Sequence, residues 1–199
     1  MIVIGLTGGI ASGKSTIANL LRSLGAPVFD ADAESRAMVA KGSAALAEIA
    51  KTFGSDYLQA DGELNRAKMA ELVFNDKTAL KQLEGIIHKN VYAAAQNFLA
   101  ECRSKNMPAA VLDVPLLIEC GWHKNVDKVW LVAVDSETQI ERAMERSQMT
   151  REEVKARIAA QMTLEEKRAY ADFVIDNSGP LEAAQKTVTE AWRSLTAEV

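Results

Sequence analysis

The amino-acid sequence predicts an α/β fold in which helices flank a parallel five-stranded sheet. Short apolar runs alternate with longer amphipathic stretches, a pattern typical of βαβ units. The runs are rich in β-branched and other apolar residues, as expected for strands covered on both faces. No internal repeat interrupts the pattern, and 199 residues suffice for a sizeable core. The predicted strands are 2–6, 26–29, 109–114, 128–134 and 173–175.

The composition excludes several classes of protein. Lys and Arg total 23 against 27 Asp and Glu, and a net charge of −4 argues against a nucleic-acid binder. The N-terminus lacks the basic region and cleavage site of a signal peptide. No apolar run reaches the ~18 residues that a membrane span needs. We therefore expect a cytoplasmic protein, monomeric or weakly homo-oligomeric, with no nucleic-acid or membrane partner.

Helix-capping signals mark the segments between the strands. Ser136 with Gln139, Thr150 with Glu153, and Thr163 with Glu166 each have the spacing of a capping box. A helix over 14–23 is expected after the first strand, and a last amphipathic helix over 181–195.

Two gaps between strands are longer than a crossover needs, which is ~12 residues. We predict a core of 1–32, 106–145 and 169–199, carrying a helical substrate-binding insertion at 33–105. The charged segment 146–168 has few apolar residues to anchor it and is predicted to be a mobile lid.

A glycine-rich motif follows the first strand. Gly8-x-x-x-x-Gly13-Lys14-Ser15, between a strand and a helix, fits the phosphate-binding loop of P-loop NTPase-type folds. Lys14 is expected on the β- and γ-phosphates of ATP, with the Ser15 hydroxyl on Mg²⁺. A guanine-recognition element is missing, so an ATP-dependent small-molecule kinase is predicted. The residues predicted to bind ATP here are Gly8, Gly9, Ala11, Ser12, Gly13, Lys14, Ser15 and Thr16.

Acidic residues end two of the predicted strands. Asp30 and Asp32 follow the second strand, and in extended backbone both would face one side. Ligands of open parallel sheets bind at the carboxyl ends of strands, so either could orient or deprotonate a substrate hydroxyl. A helix cap is the alternative. Asp113, which ends an apolar strand, resembles a Walker B carboxylate and is a second candidate metal ligand.

Cations needed at the γ-phosphate are sought beside the lid. Arg142 and Arg146 are four residues apart and would share one helical face near the fourth strand. The alternative is a solvated helix face with i,i+4 pairs.

Several motifs, in order, resemble the dephospho-coenzyme A kinase family over nearly the whole chain. The resemblance implies transfer of the ATP γ-phosphate to the ribose 3′-hydroxyl of dephospho-CoA. It implies that Asp32 is the base, that Arg142 contacts phosphate, and that Asp30, His88 and Leu116 bind substrate. It also places Asn177 in the ATP site. The matching segments are Gly8–Ser15, Asp30–Asp32, Ala60–Gly62, Ile87-His88, Pro115–Glu119, Arg157–Gln161 and Ile175–Asn177.

Two positions depart from the family pattern. Ala11 stands where glycine is usual, a change that a negative φ would accommodate, and Lys89 stands where proline is usual. His88 has an alternative as a buried, hydrogen-bonded helix residue. Two other functions stay open: another P-loop metabolite kinase, such as shikimate kinase, and a nucleotide-binding regulatory module that transfers no phosphate.

Overall fold

The central element is a sheet of five strands, β1 Ile2–Gly8, β2 Val28–Asp30, β3 Ala109–Asp113, β4 Lys128–Ala133 and β5 Phe173–Asp176. Their order in the sheet is β2-β3-β1-β4-β5. The computed structural model describes residues 1–197. β1 pairs in parallel with β3 and β4, and β4 pairs in parallel with β5. The predicted parallel five-stranded sheet is therefore confirmed.

Helices fill the connections between strands, with short 3₁₀ turns at Ser55–Tyr57 and Trp122–Asn125. The helices predicted over 14–23 and 181–195 are both present. In residues 1–197 the helices are α1 Lys14–Ser23, α2 Ala31–Ala37, α3 Ala44–Phe53, α4 Arg66–Asn75, α5 Lys77–Ser104, α6 Ser136–Ser147, α7 Arg151–Ala159, α8 Leu164–Arg168 and α9 Leu181–Ala197.

The main core forms where α1 and α9 pack against the sheet. Ile4 and Leu6 of β1 are fully buried, and they share one apolar cluster with Leu21 of α1 and Trp192 of α9. Burial of such side chains contributes about 1.5–3 kcal/mol each. The central strand is thus fixed on the sheet, and the loop that follows it begins from a rigid position.

The caps of the later helices agree with the sequence in two cases out of three. Thr150 with Glu153 and Thr163 with Glu166 form complete capping boxes. The capping box predicted at Ser136 is wrong, because Asp135 caps α6 and accepts from the Thr138 N–H at 3.0 Å. The Thr138 side chain, followed by this backbone N–H, lowers the pKa of Asp135.

The chain forms two compact units, one of Met1–Phe29 with the chain from Glu101 onward, and one of Asp30–Ala100. The second unit has its own core, which includes Leu46, Ile49, Met69 and Ile86. The turn predicted at 60–62 is present, with Gly62 at φ 86° between Leu58 and Leu64, which form an antiparallel bridge.

Helix α5 is the longest in the described part of the chain, yet it is amphipathic. Within residues 1–197, no helix combines the length and the apolar composition that a membrane span requires.

Candidate functional site

The loop between β1 and α1 has the geometry of a phosphate cradle. The Ser12 N–H donates to the Gly9 carbonyl at 3.2 Å, and the chain enters α1 through Gly13 at φ 88°. The first turn of α1 contains no acidic residue. The positive end of the helix dipole is therefore available to an anion.

Ala11 adopts a left-handed backbone conformation in this loop. Its φ is 55°, so the negative φ that would accommodate alanine in place of glycine is not what the structure has. Such a conformation costs an L-residue about 1–3 kcal/mol, which the surrounding contacts must offset. Ala11 packs against the apolar cluster of Ile140, Ala143 and Val154, which is one such contact.

Lys14, the first residue of α1, forms an ion pair with Asp113 at the end of β3. Both side chains are largely buried, at 14% and 4% exposure. The carboxylate of Asp113 therefore holds the lysine at the loop. Ser15 and Thr16, the next two residues, are exposed at the start of α1.

Asn177 joins the end of β5 to the phosphate loop. Its buried Nδ2 donates to the Ser12 carbonyl at 2.8 Å, and its own carbonyl accepts from Arg142 Nη1 at 3.0 Å. The backbone there is fixed, because the Asn177 N–H donates to Ala133 at 2.8 Å. The structure thus brings together the loop, Asn177 and Arg142, which belong to one predicted site. Arg146 is exposed one turn further along α6.

Two glutamine side chains also hold the loop, and the sequence predicts this contact for neither of them. Gln139 Nε2 of α6 donates to the Ile10 carbonyl at 2.8 Å. The Ile10 N–H donates to Gln161 Oε1 at 3.3 Å. Gln139 was predicted to complete a capping box, and its bond to Ile10 explains why that prediction is wrong. A contact over 129 positions of the chain leaves no local sequence signal.

A small cavity of about 40 Å³ borders the loop and is lined in part by Gly9, Ser12 and Lys167. Lys167 is 1% exposed, and its Nζ lies 2.8 Å from Glu119 Oε1 in an ion pair without hydrogen-bond geometry. Among residues 1–197, Ser12 Oγ likewise has no hydrogen-bond partner. The charged segment 146–168 has few apolar residues, which predicts weak anchoring, yet Lys167 and the fully buried Val154 both anchor it.

Gly13 offers a direct test of this geometry, with Gly25 as a matched control. A Cβ at Gly13 would lie 2.1 Å from Asn177 Nδ2, whereas one at Gly25, with a similar φ of 85°, would meet nothing within 4 Å. Gly25→Ala is expected to lower the free energy of unfolding by about 1–2 kcal/mol through backbone strain alone. Gly13→Ala should cost about 1–3 kcal/mol more, because the buried Asn177 amide loses its bond. Urea unfolding measures both, and equal losses would contradict the tight Gly13–Asn177 contact.

Asp30 and Asp32 do not share an extended segment, because α2 begins at Ala31. The prediction that both face one side of a strand is therefore wrong. The Asp30 carboxylate caps α2 and accepts from the Ala33 N–H at 2.9 Å. Asp32 lies in the first turn of α2, exposed, and its carboxylate makes no hydrogen bond or ion pair within residues 1–197.

The two other residues predicted to bind substrate are both at the surface. His88 lies on α5 and is exposed, so the alternative of a buried helix histidine is wrong. Leu116 follows β3 and is 40% exposed, which is unusual for a large apolar side chain. Both side chains are therefore accessible to a ligand.

Known proteins resemble this chain over most of its length. A family model described as "Dephospho-CoA kinase" matches residues 2–183. A protein of Geobacter sulfurreducens with the same name is 45% identical over 192 residues, which cover 96% of this chain and 98% of the relative.

Solved structures separate the family from its fold neighbours. Dephospho-CoA kinase from Campylobacter jejuni superposes with a TM-score of 0.76 at 27% identity, covering 98% of each chain. Shikimate kinase from Acinetobacter baumannii gives a TM-score of 0.54 at 14% identity, covering 100% of this chain and 94% of that one, and so shares the fold alone. The family match and the 45% identical relative exclude the alternative of a shikimate kinase. With a phosphate loop, a parallel sheet and a family match over most of its length, the chain belongs to the dephospho-CoA kinase family.

Proposed function

We propose that this chain transfers the γ-phosphate of ATP to the ribose 3′-hydroxyl of dephospho-CoA, giving coenzyme A. The family match over residues 2–183 carries the proposal. The geometry supports it, because Lys14, Arg142 and the loop held by Asn177 lie in one unit. Lys14 and Arg142 supply positive charge of the kind that stabilises the transferring phosphoryl group.

The roles of the remaining segments belong to the same proposal. The insertion 33–105 binds dephospho-CoA, and Asp30, His88 and Leu116 contact this substrate. The segment 146–168 acts as the lid. The core 1–32, 106–145 and 169–199 binds ATP. Asp32 addresses the attacking hydroxyl, and Arg146 assists Arg142 at the phosphates.

Mg²⁺ accompanies ATP in this proposal, and the donors present fit it. The Ser15 hydroxyl and the Asp113 carboxylate are hard oxygen ligands, as Mg²⁺ prefers. Among residues 1–197, no cluster of three or more His, Cys, Asp or Glu side chains could hold a metal alone. The pair of Ser15 and Asp113 suits Mg²⁺, which is usually held by one or two protein groups together with substrate phosphates. When bound, the ion neutralises charge on the β- and γ-phosphates.

A panel of acceptors tests the proposal. The purified chain is incubated with MgATP and, separately, dephospho-CoA, shikimate or a nucleoside monophosphate, and ADP release is measured. Mass spectrometry of the acceptor then shows whether one phosphate was added. We expect transfer to dephospho-CoA alone. Nucleotide binding without transfer to any acceptor would instead favour a regulatory module.

Arg142 gives a prediction that separates a phosphate contact from a substrate contact. Arg142→Ala should lower kcat by about 10²-fold and change the KM of each substrate much less, because a contact with the transferring phosphate matters most in the transition state. Steady-state kinetics with both substrates measures this.

Arg146→Ala is the matched control, since Arg146 lies one turn further on the same helix and is exposed. A smaller defect is expected there. If Arg142→Ala raised only the KM for dephospho-CoA, Arg142 would be a substrate-binding residue and the proposed role would be wrong.

A further inference from the structure

We propose that Gln139 and Gln161 are positioning residues that hold the phosphate loop in its ATP-binding conformation. The inference rests on the proposed function only for the identity of the ligand, ATP. Neither glutamine is assigned to contact ATP. Each acts through the backbone of Ile10.

The two side-chain amides bind the backbone of Ile10, one as a hydrogen-bond donor and the other as an acceptor. Gln139 donates to the Ile10 carbonyl at 2.8 Å, and Gln161 accepts from the Ile10 N–H at 3.3 Å. Because the backbone carbonyl can only accept and the N–H can only donate, the orientation of each side-chain amide is settled. The peptide groups before and after Ile10 are both fixed in this way.

Ile10 lies where the loop needs support. The next residue is Ala11, whose φ of 55° is a strained conformation for alanine. Gln139 also lies against Gly9, since a Cβ there would be 2.7 Å from Gln139 Nε2. The two glutamines therefore hold the segment from Gly9 to Ala11, and through it the backbone N–H groups that follow.

The backbone at Gln161 and at the residue after it is held by two hydrogen bonds. Gln161 follows α7, and its N–H donates to the Ile158 carbonyl at 3.0 Å. The next N–H, that of Met162, lies 3.4 Å from Glu119 Oε1, the same oxygen that pairs with Lys167. Gln161 thus connects the phosphate loop to the end of α7, and its neighbour Met162 contacts Glu119 of the Glu119–Lys167 pair.

A loop held in this way binds phosphate without first having to be ordered. Preorganised donors cost little reorganisation when the ligand arrives. The loss of either amide should therefore weaken ATP binding, and the loss of Gln161 should also release the Ile10 N–H.

The test uses the whole chain with isosteric variants. Gln139→Met and Gln161→Met keep the side-chain length and remove the amide, and Gln185→Met on α9 is the control. Calorimetric titration with MgATP, without acceptor, should show Kd raised about three- to tenfold in the first two variants and unchanged in the control. The KM for dephospho-CoA should not change.

Exchange of the Ile10 amide hydrogen, measured by NMR without nucleotide, supplies a second readout. It should be faster than wild type in Gln161→Met and close to wild type in Gln161→Glu, because a carboxylate still accepts from the N–H. Gln139→Glu removes the donor to the Ile10 carbonyl. It should therefore loosen the backbone of the phosphate loop as Gln139→Met does. Because no nucleotide is present in the exchange measurement, the negative charge of the introduced glutamate meets no bound phosphate. The exchange rates of the glutamate variants can therefore be interpreted.

The outcomes separate the alternatives. A lower Tm with wild-type Kd for MgATP and wild-type Ile10 exchange would make the glutamines merely structural and overturn the proposal. If Gln161→Met does not fold, Gln161→Glu and Gln139→Met still decide the matter. If the wild-type chain binds no MgATP, the proposed function fails. The exchange of the Ile10 amide hydrogen would still show whether the two glutamines hold the loop.

Discussion

Replacing Lys14 by methionine is expected to lower kcat by at least about 10²-fold, because the positive charge that stabilises the transferring phosphate is lost. Methionine keeps the aliphatic stem of the side chain and removes the ammonium group. Single-turnover transfer to dephospho-CoA measures the effect. Turnover within about tenfold of wild type would contradict the assignment of the phosphate loop.

The structure adds a control that the motif alone does not suggest. Lys14 pairs with Asp113, whose side chain is 4% exposed, so Lys14→Met also removes the cation from a buried carboxylate. Loss of one partner of a buried pair is destabilising by about 3–5 kcal/mol. The double variant Lys14→Met/Asp113→Asn should therefore recover stability in urea unfolding while staying inactive. Recovery of turnover in the double variant would show that Lys14 merely neutralises Asp113.

The sheet and the phosphate loop could be predicted because their signals are local. Each strand is a short apolar run, and the helix after Gly13 begins and ends where the sequence indicates. The loop pattern depends on residues within one short segment. Arg142 could also be selected from the helical face that it shares with Arg146, and Asn177 only through the resemblance to a family. Nothing in either position predicts the 3.0 Å bond between them.

The features that sequence reasoning missed are long-range or contrary to residue type. Lys167 lies in a highly charged stretch, where lysine is usually exposed, yet it is buried against Glu119. Gln139 and Gln161 reach a loop more than a hundred positions away. Asp30 is a different case, because a strand-end aspartate and a helix N-cap have the same local sequence, and the structure shows the cap that the sequence left open as the alternative.

Asp32 rather than Asp30 is expected to address the attacking 3′-hydroxyl. The Asp30 carboxylate accepts from the Ala33 N–H at 2.9 Å as the cap of α2. The Asp32 carboxylate is exposed and makes no hydrogen bond or ion pair within residues 1–197, so it is available to a substrate hydroxyl. A carboxylate in that role accepts the proton or orients the hydroxyl for in-line attack.

The decisive comparison is single-turnover transfer by Asp32→Asn beside Asp30→Asn. Asparagine caps a helix about as well as aspartate, so Asp30→Asn keeps the start of α2 and removes only the charge. Asp32→Asn should lower transfer by about 10²–10⁴-fold, the usual range for loss of a general base. The lower end is expected, because a loose transition state depends more on positioning than on proton removal. Affinity for dephospho-CoA should survive in Asp32→Asn, and a larger defect of transfer in Asp30→Asn would reverse the assignment.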